Sequence, residues 1–153
     1  SACLVGSEMC IRDSYATLLK FGFARGAYGR DPNDGLLLQR TRITNAVRCL
    51  PPQNRPEPAE IATCGRFLAA EMAALPHLRI ALALGAIAHQ AVLAARRLPR
   101  VGFPFAHGAL HGLPDGLTLA DSYHCSRLNT NTGKLTVAMF EAVFGAVADR
   151  LGR

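Results

Sequence analysis

The sequence predicts an α/β fold: three layers, α/β/α, around a short parallel sheet. Three observations carry this expectation. Helical and strand-like segments alternate along the chain, the pattern that lays strands side by side with helices on both faces. Residues 79–84, RIALAL, form a continuous apolar run, as a strand covered on both faces requires. Two polar loops, 45–54 and 122–134, follow predicted strand ends, where sheets of this kind bind ligands.

Each element has a local reason. Residues 15–25 place Tyr15, Leu18, Leu19 and Phe21 at the spacing of a short amphipathic helix. Residues 26–35 are rich in Gly, Asp, Asn and Pro and read as a loop. Residues 43–47 are a strand candidate, followed by Arg48 and Cys49. Pro51, Pro52, Pro56 and Pro58 then keep the chain extended. Pro58 with Glu57 and Glu60 marks a helix start, Ile61, Phe67, Leu68, Met72 and Leu75 give it an apolar face, and Pro76 stops it. After the strand at 79–84, Gly85 turns the chain into an alanine-rich helix over 86–98. Residues 99–114 form a loop holding Phe103, Phe105, His107 and His111. A third strand is predicted over 117–121, a polar loop over 122–133, and a closing helix over 135–151 with Phe140, Val143, Phe144 and Val147 on one side. Residues 1–14 show neither helical stripe nor strand alternation. They resemble a translated sequencing adapter and are expected to stand outside the fold.

Composition narrows the function classes. The 153 residues suit one domain, and half of them are hydrophobic, too many for a disordered chain. The longest apolar stretch, 80–88, falls well short of the roughly 20 residues of a membrane span. Five cysteines, an odd number, are too few for a disulfide scaffold. Lys+Arg is 17 and Asp+Glu 11, so the net charge is +6, and the pI near 9.5 favours an anionic partner such as nucleic acid.

Several residues could carry chemistry. Asn45 lies in an otherwise apolar strand, and a buried amide with both donor and acceptor suits the edge of a base or, more plainly, neighbouring backbone. His124 follows a predicted strand and could donate to negative charge developing on a ligand; a histidine there also serves as an ordinary structural hydrogen-bonder. That second reading is assigned to His77, His89, His107 and His111. The loop SYHCSRLNTNTGK gathers hydroxyls, amides, Arg127 and Lys134 before a helix, the usual donors to phosphates, or else a helix cap in a solvated loop. Cys49 and Cys64 lie fifteen positions apart; by themselves two thiols read as small buried hydrophobes, since clusters and structural zinc want four ligands.

Taken in order, TNAVRCLPPQNRPEPAEIATCGRFL (44–68), LALG (82–85), FAHG (105–108) and SYHCSRLNTNTGKLT (122–136) resemble the uracil-DNA glycosylase superfamily, most closely the type-b branch, family 5, of bacteria and archaea. The resemblance spans about nine-tenths of the chain. It implies a monomeric cytoplasmic enzyme acting on DNA that contains uracil or deaminated bases. A base flipped from DNA loses its N-glycosidic bond by hydrolysis, because that bond is out of reach inside a stacked duplex. It implies that Asn45 reads the flipped base and that His124 steadies negative charge on the departing base. Ser126, Asn129 and Thr130 match the loop that presses on the DNA backbone, with Arg127 and Lys134 adding phosphate contacts. Cys49 and Cys64 match two of the four ligands of a structural 4Fe–4S cluster.

The departures from the family pattern set further expectations. Family members carry, upstream, a glycine-rich motif with the water-activating aspartate and two more cluster cysteines. Here residues 1–14 stand in that place: Asp13 has the wrong neighbours, and Cys3 and Cys10 lack the close spacing. Cys125 replaces the family's usual proline. The chain is thus expected to be the C-terminal three-quarters of an enzyme, without its first strand and inactive alone. Two competing readings are a DNA-binding α/β module that cuts nothing and an unrelated α/β protein whose Asn45 and His124 are structural.

Overall fold

The computed structural model describes residues 2–3, 8–46 and 57–152. The elements in chain order are β1 (Ala2–Cys3), α1 (Glu8–Lys20), β2 (Ala24–Arg25), β3 (Leu37–Leu38), β4 (Ile43–Thr44), α2 (Pro58–Ala73), β5 (Ile80–Leu84), α3 (Ala86–Ala95), β6 (Leu110–Gly112), β7 (Thr118–Ser122), α4 (Arg127–Asn131) and α5 (Val137–Leu151). The main sheet has the order β4-β1-β5-β7-β6. Its first four strands are parallel, and β6 pairs antiparallel with β7. Among the described residues no helix is long and apolar enough to cross a membrane.

The strand period of two separates the core into its two layers. Ile80, Leu82 and Leu84 of β5 and Ala120 of β7 join Leu18 of α1 and Phe140, Val143, Phe144 and Val147 of α5. The alternate residues, Ala81 and Ala83 of β5 and Leu119 of β7, join Leu68 and Met72 of α2 and Ala88, Ala91, Val92 and Leu93 of α3. All five residues of β5 are buried, the reason its sequence shows no polar alternation. The α1/α5 face is built from large side chains, and the α2/α3 face meets β5 through methyl groups alone. Small residues at a contact shorten the distance between helix and sheet.

The helix caps are local and explicit. Thr136 caps α5 by accepting from the Met139 N–H at 3.1 Å, and Gly152 closes it in the left-handed region at φ 76°. Lys20 of α1 reaches Glu141 of α5 at 2.6 Å across the surface.

The structure differs from expectation in its short elements. Residues 8–14 are helical and Ser14 is buried, so α1 starts seven positions before Tyr15. Ala2–Cys3 fills the sheet position between β4 and β5, where a missing strand was expected. A two-residue strand held by backbone pairing on both sides carries no side-chain periodicity to read. For the same reason the β2–β3 hairpin, β6 and α4 are absent from the sequence-based reading. The loop between β2 and β3 is ordered by Asp34, whose carboxylate accepts the N–H groups of Gly29 at 2.8 Å and Leu36 at 2.9 Å. Those bonds, Gly29's first, hold its carboxyl below the ordinary carboxylate range.

Candidate active site at the carboxyl edge of the sheet

Because β4, β1, β5 and β7 run parallel, their carboxyl ends share one edge. Asn45 follows β4 and His124 lies two residues beyond β7. Their strands are three places apart in the sheet, about 14 Å at ordinary strand spacing. Asn45 is exposed, contrary to the expected buried amide, because β4 ends at Thr44 and the chain leaves the sheet there. Its strand is tied to α2: Arg42 pairs with Glu71, and the Thr44 hydroxyl donates to the same carboxylate at 2.6 Å.

His124 stands on a more heavily braced support. The Gly85 N–H donates to the Ser122 carbonyl at 2.8 Å. Gly85 sits at φ 97°, and a Cβ there would lie 3.1 Å from the His124 Cβ, so glycine serves both the turn and the close approach. The Tyr123 N–H donates to His107 Nδ1 at 2.9 Å, which makes Nδ1 the acceptor and leaves the proton of the neutral ring on Nε2. The same two rings stack at 4.7 Å, and Lys134 Nζ lies 4.9 Å from the Tyr123 centroid.

Beyond His124 the loop is held together by its own polar groups. The Ser126 hydroxyl caps α4 by accepting from the Asn129 N–H at 3.2 Å. Asn129 Nδ2 donates to the His124 carbonyl at 2.8 Å, and the Thr130 hydroxyl lies 3.1 Å from the Ser126 carbonyl. Ser126, Asn129 and Thr130 therefore shape the segment that presents His124. Arg127 and Lys134 extend as exposed cations, and Leu128 is 72% exposed between them.

Sequence reasoning missed Asp121, which is buried at the end of β7 and bonds His89, His111 and the Ala106 N–H. The available signal was a carboxylate ending an otherwise apolar strand, with histidines read as structural hydrogen-bonders upstream. His89, His107 and His111 make the structural hydrogen bonds expected of them. His77 is exposed.

Cys64 is buried on α2 and is not in a disulfide, whereas Cys49 lies outside the described residues. One placed thiol where a 4Fe–4S cluster needs four does not amount to a cluster site among the described residues. Cys125 is buried and disulfide-bonded. A cavity of about 530 Å³ opens at the opposite edge of the sheet, lined by Arg79, Ile80, Arg96, Asp115 and Thr118, away from Asn45 and His124.

Fold and edge together define a three-layer α/β/α protein whose binding side lies at the carboxyl ends of its parallel strands. The chain belongs to the uracil-DNA glycosylase superfamily, whose family profile matches residues 14–148. The relatives it matches include enzymes of the type-5 branch. It is 48% identical over 109 residues to the type-5 uracil-DNA glycosylase of Thermus thermophilus, covering 71% of this chain and 50% of that protein. It is 40% identical over 134 residues to that of Mycobacterium bovis, covering 85% and 49%. It is 36% identical over 136 residues to that of Pyrobaculum aerophilum, covering 88% and 58%. The chain thus spans about half the length of the curated relatives it matches.

Proposed function

We propose that this chain carries the base-reading and DNA-contacting part of a type-5 glycosylase that removes uracil, or another deaminated base, from DNA. The observation that carries this reading is the shared edge: Asn45 and His124 follow parallel strands of one sheet in a chain of this family. Water attacks the sugar carbon and gives up a proton to a general base or to solvent, the N-glycosidic bond breaks, and the bonding electron pair leaves with the base. His124 donates to the negative charge that develops there. The Asn45 amide offers a donor and an acceptor to the Watson–Crick edge of the flipped base. Arg127 and Lys134 meet phosphates, and Ser126, Asn129 and Thr130 set the shape of the pressing loop. Leu128, exposed at its tip, supplies the apolar wedge that takes the place of an extruded base. Cys49 and Cys64 are two of four ligands to a structural 4Fe–4S cluster, and the protein works as a monomer.

The test is excision of uracil from duplex DNA by a full-length family framework carrying this sequence over its matching region. His124→Ala and Asn45→Ala should each slow excision by about 10²–10³-fold. Full activity in both variants would remove these assignments. Removing Arg127 or Lys134 should weaken binding and lower the salt slope by about one each. Salt-dependent binding with no excision in the unmutated framework would favour the module that holds DNA without cutting it. Loss of the brown colour in Cys64→Ser tests the cluster, and unchanged colour would overturn that ligand.

A further inference from the structure

The Asp121 carboxylate is 0% exposed and the His89 side chain 3% exposed, so water cannot satisfy either group. His89 Nε2 lies 2.8 Å from the Phe103 carbonyl oxygen, which can only accept, so Nε2 carries a proton. A neutral imidazole has one N–H, and Nδ1 then presents a lone pair. Nδ1 lies 2.7 Å from Asp121 Oδ1, so the two make an ordinary hydrogen bond only where the ring carries a second proton. Two lone pairs cannot face each other at that distance in a dry interior without a cation between them. On the other carboxylate oxygen, His111 Nε2 lies at 3.1 Å, and its ring is 13% exposed, the solvent-facing side of the group.

The geometry points to a divalent metal ion of the zinc class as that cation, held by His89 Nδ1, His111 Nε2 and the Asp121 carboxylate, with water in the fourth position. The three donor atoms already lie within 4.8 Å of one another. Two imidazoles and a carboxylate are a usual donor set for zinc, cobalt and nickel. The outer partners that orient such ligands are also in place. The Phe103 carbonyl fixes the ring and tautomer of His89, and the Ala106 N–H lies 3.4 Å from Asp121 Oδ2. Bonds of 2.0–2.2 Å put tetrahedral donors about 3.3 Å apart, so the His111 side fits as it stands and the His89 side opens by about half an ångström.

The ion joins α3, β6, β7 and the 103–106 loop. The Asp121 backbone also holds that region, receiving the Gly108 N–H at 2.8 Å and donating to the Ala109 carbonyl at 3.0 Å. The site is therefore a pin directly under the strand end that presents His124. Its donors are nitrogen and oxygen, distinct from Cys49 and Cys64.

The experiment is titration of the metal-free protein with Co(II), followed by displacement with Zn(II). One equivalent should give the intense visible bands of a four-coordinate nitrogen/oxygen site, with no thiolate charge-transfer band in the near ultraviolet, and zinc should abolish them. His111→Ala removes a ligand at the solvent-facing side of the cluster. It should weaken cobalt binding by more than roughly 100-fold, beyond the loss typical of an outer partner. His124→Ala should bind as before. X-ray absorption of the zinc-loaded unmutated protein, which needs no variant to fold, should show two imidazoles in the first shell. Sulfur ligation, only weak six-coordinate bands, or unchanged binding in His111→Ala would each overturn the site and leave a proton as the cation between His89 and Asp121. None of these outcomes depends on base excision.

Discussion

Asn45 and His124 occupy the same edge of one sheet, yet the molecule supports them differently. The Asn45 side rests on a two-residue strand, β4, anchored to α2 by one carboxylate, Glu71, that also faces the exposed Arg42. The His124 side rests on a five-residue strand buried throughout, backed by Asp121, two histidines, the His107–Tyr123 stack and the α4 cap. In the proposed roles, His124 would meet developing charge and so needs fixed geometry, because preorganised donors cost no reorganisation at the moment of reaction. The Asn45 amide, proposed to read a base edge, can be ordered by the base itself.

This asymmetry can be broken most severely at Asp121. Asp121→Ala strands His89 among groups that water does not reach, and should cost about 3–5 kcal/mol in urea unfolding. An unchanged midpoint would mean that the carboxylate holds nothing. Gly85→Ala comes next. The residue sits at a φ that side chains rarely adopt, beside His124, so about 1–3 kcal/mol of stability should go and His124 should be displaced. In a full-length framework the same variant should slow excision more than its loss of stability explains. On the weaker side, Glu71→Gln should cost about 1 kcal/mol or less, since its partner Arg42 is mostly in solvent. A cost matching that of Asp121→Ala would erase the distinction. The smallest effect concerns neither side. The lowered pKa of Asp34 means its hydrogen bonds to Gly29 and Leu36 contribute fully above the ordinary carboxylate range and are lost as pH falls through the depressed value. Amide exchange at Gly29 and Leu36 should accelerate only in that acidic window, and acceleration near neutrality would contradict the assignment.

The readable parts of the fold were those where burial writes itself into residue type. The β5 run, the alanine-rich α3 and the Phe140, Phe144, Val147 stripe of α5 all appear where their patterns placed them. The short pieces were illegible: β1 and β6 depend on backbone partners supplied from elsewhere in the chain, and α4 is a five-residue helix too short to show a period. At the site, His124 and its loop could be found from a polar cluster after a strand. Asn45 was placed at the right strand end but in the wrong environment, since its exposure depends on where β4 stops. Asp121 escaped notice because its partners come from three segments that only the folded chain brings together.

The methyl-lined face of β5 has a consequence for how the molecule tolerates change. Ala81 and Ala83 meet Ala88 and Ala91 of α3 in one buried cluster, which seats the helix low enough for a single imidazole to bridge it to β7. A bulkier residue at 81 or 83 would act as a wedge under α3, lifting His89 out of reach of Asp121 while leaving every polar residue unchanged. Side chains without chemistry of their own thus set the clearance on which the polar assembly depends.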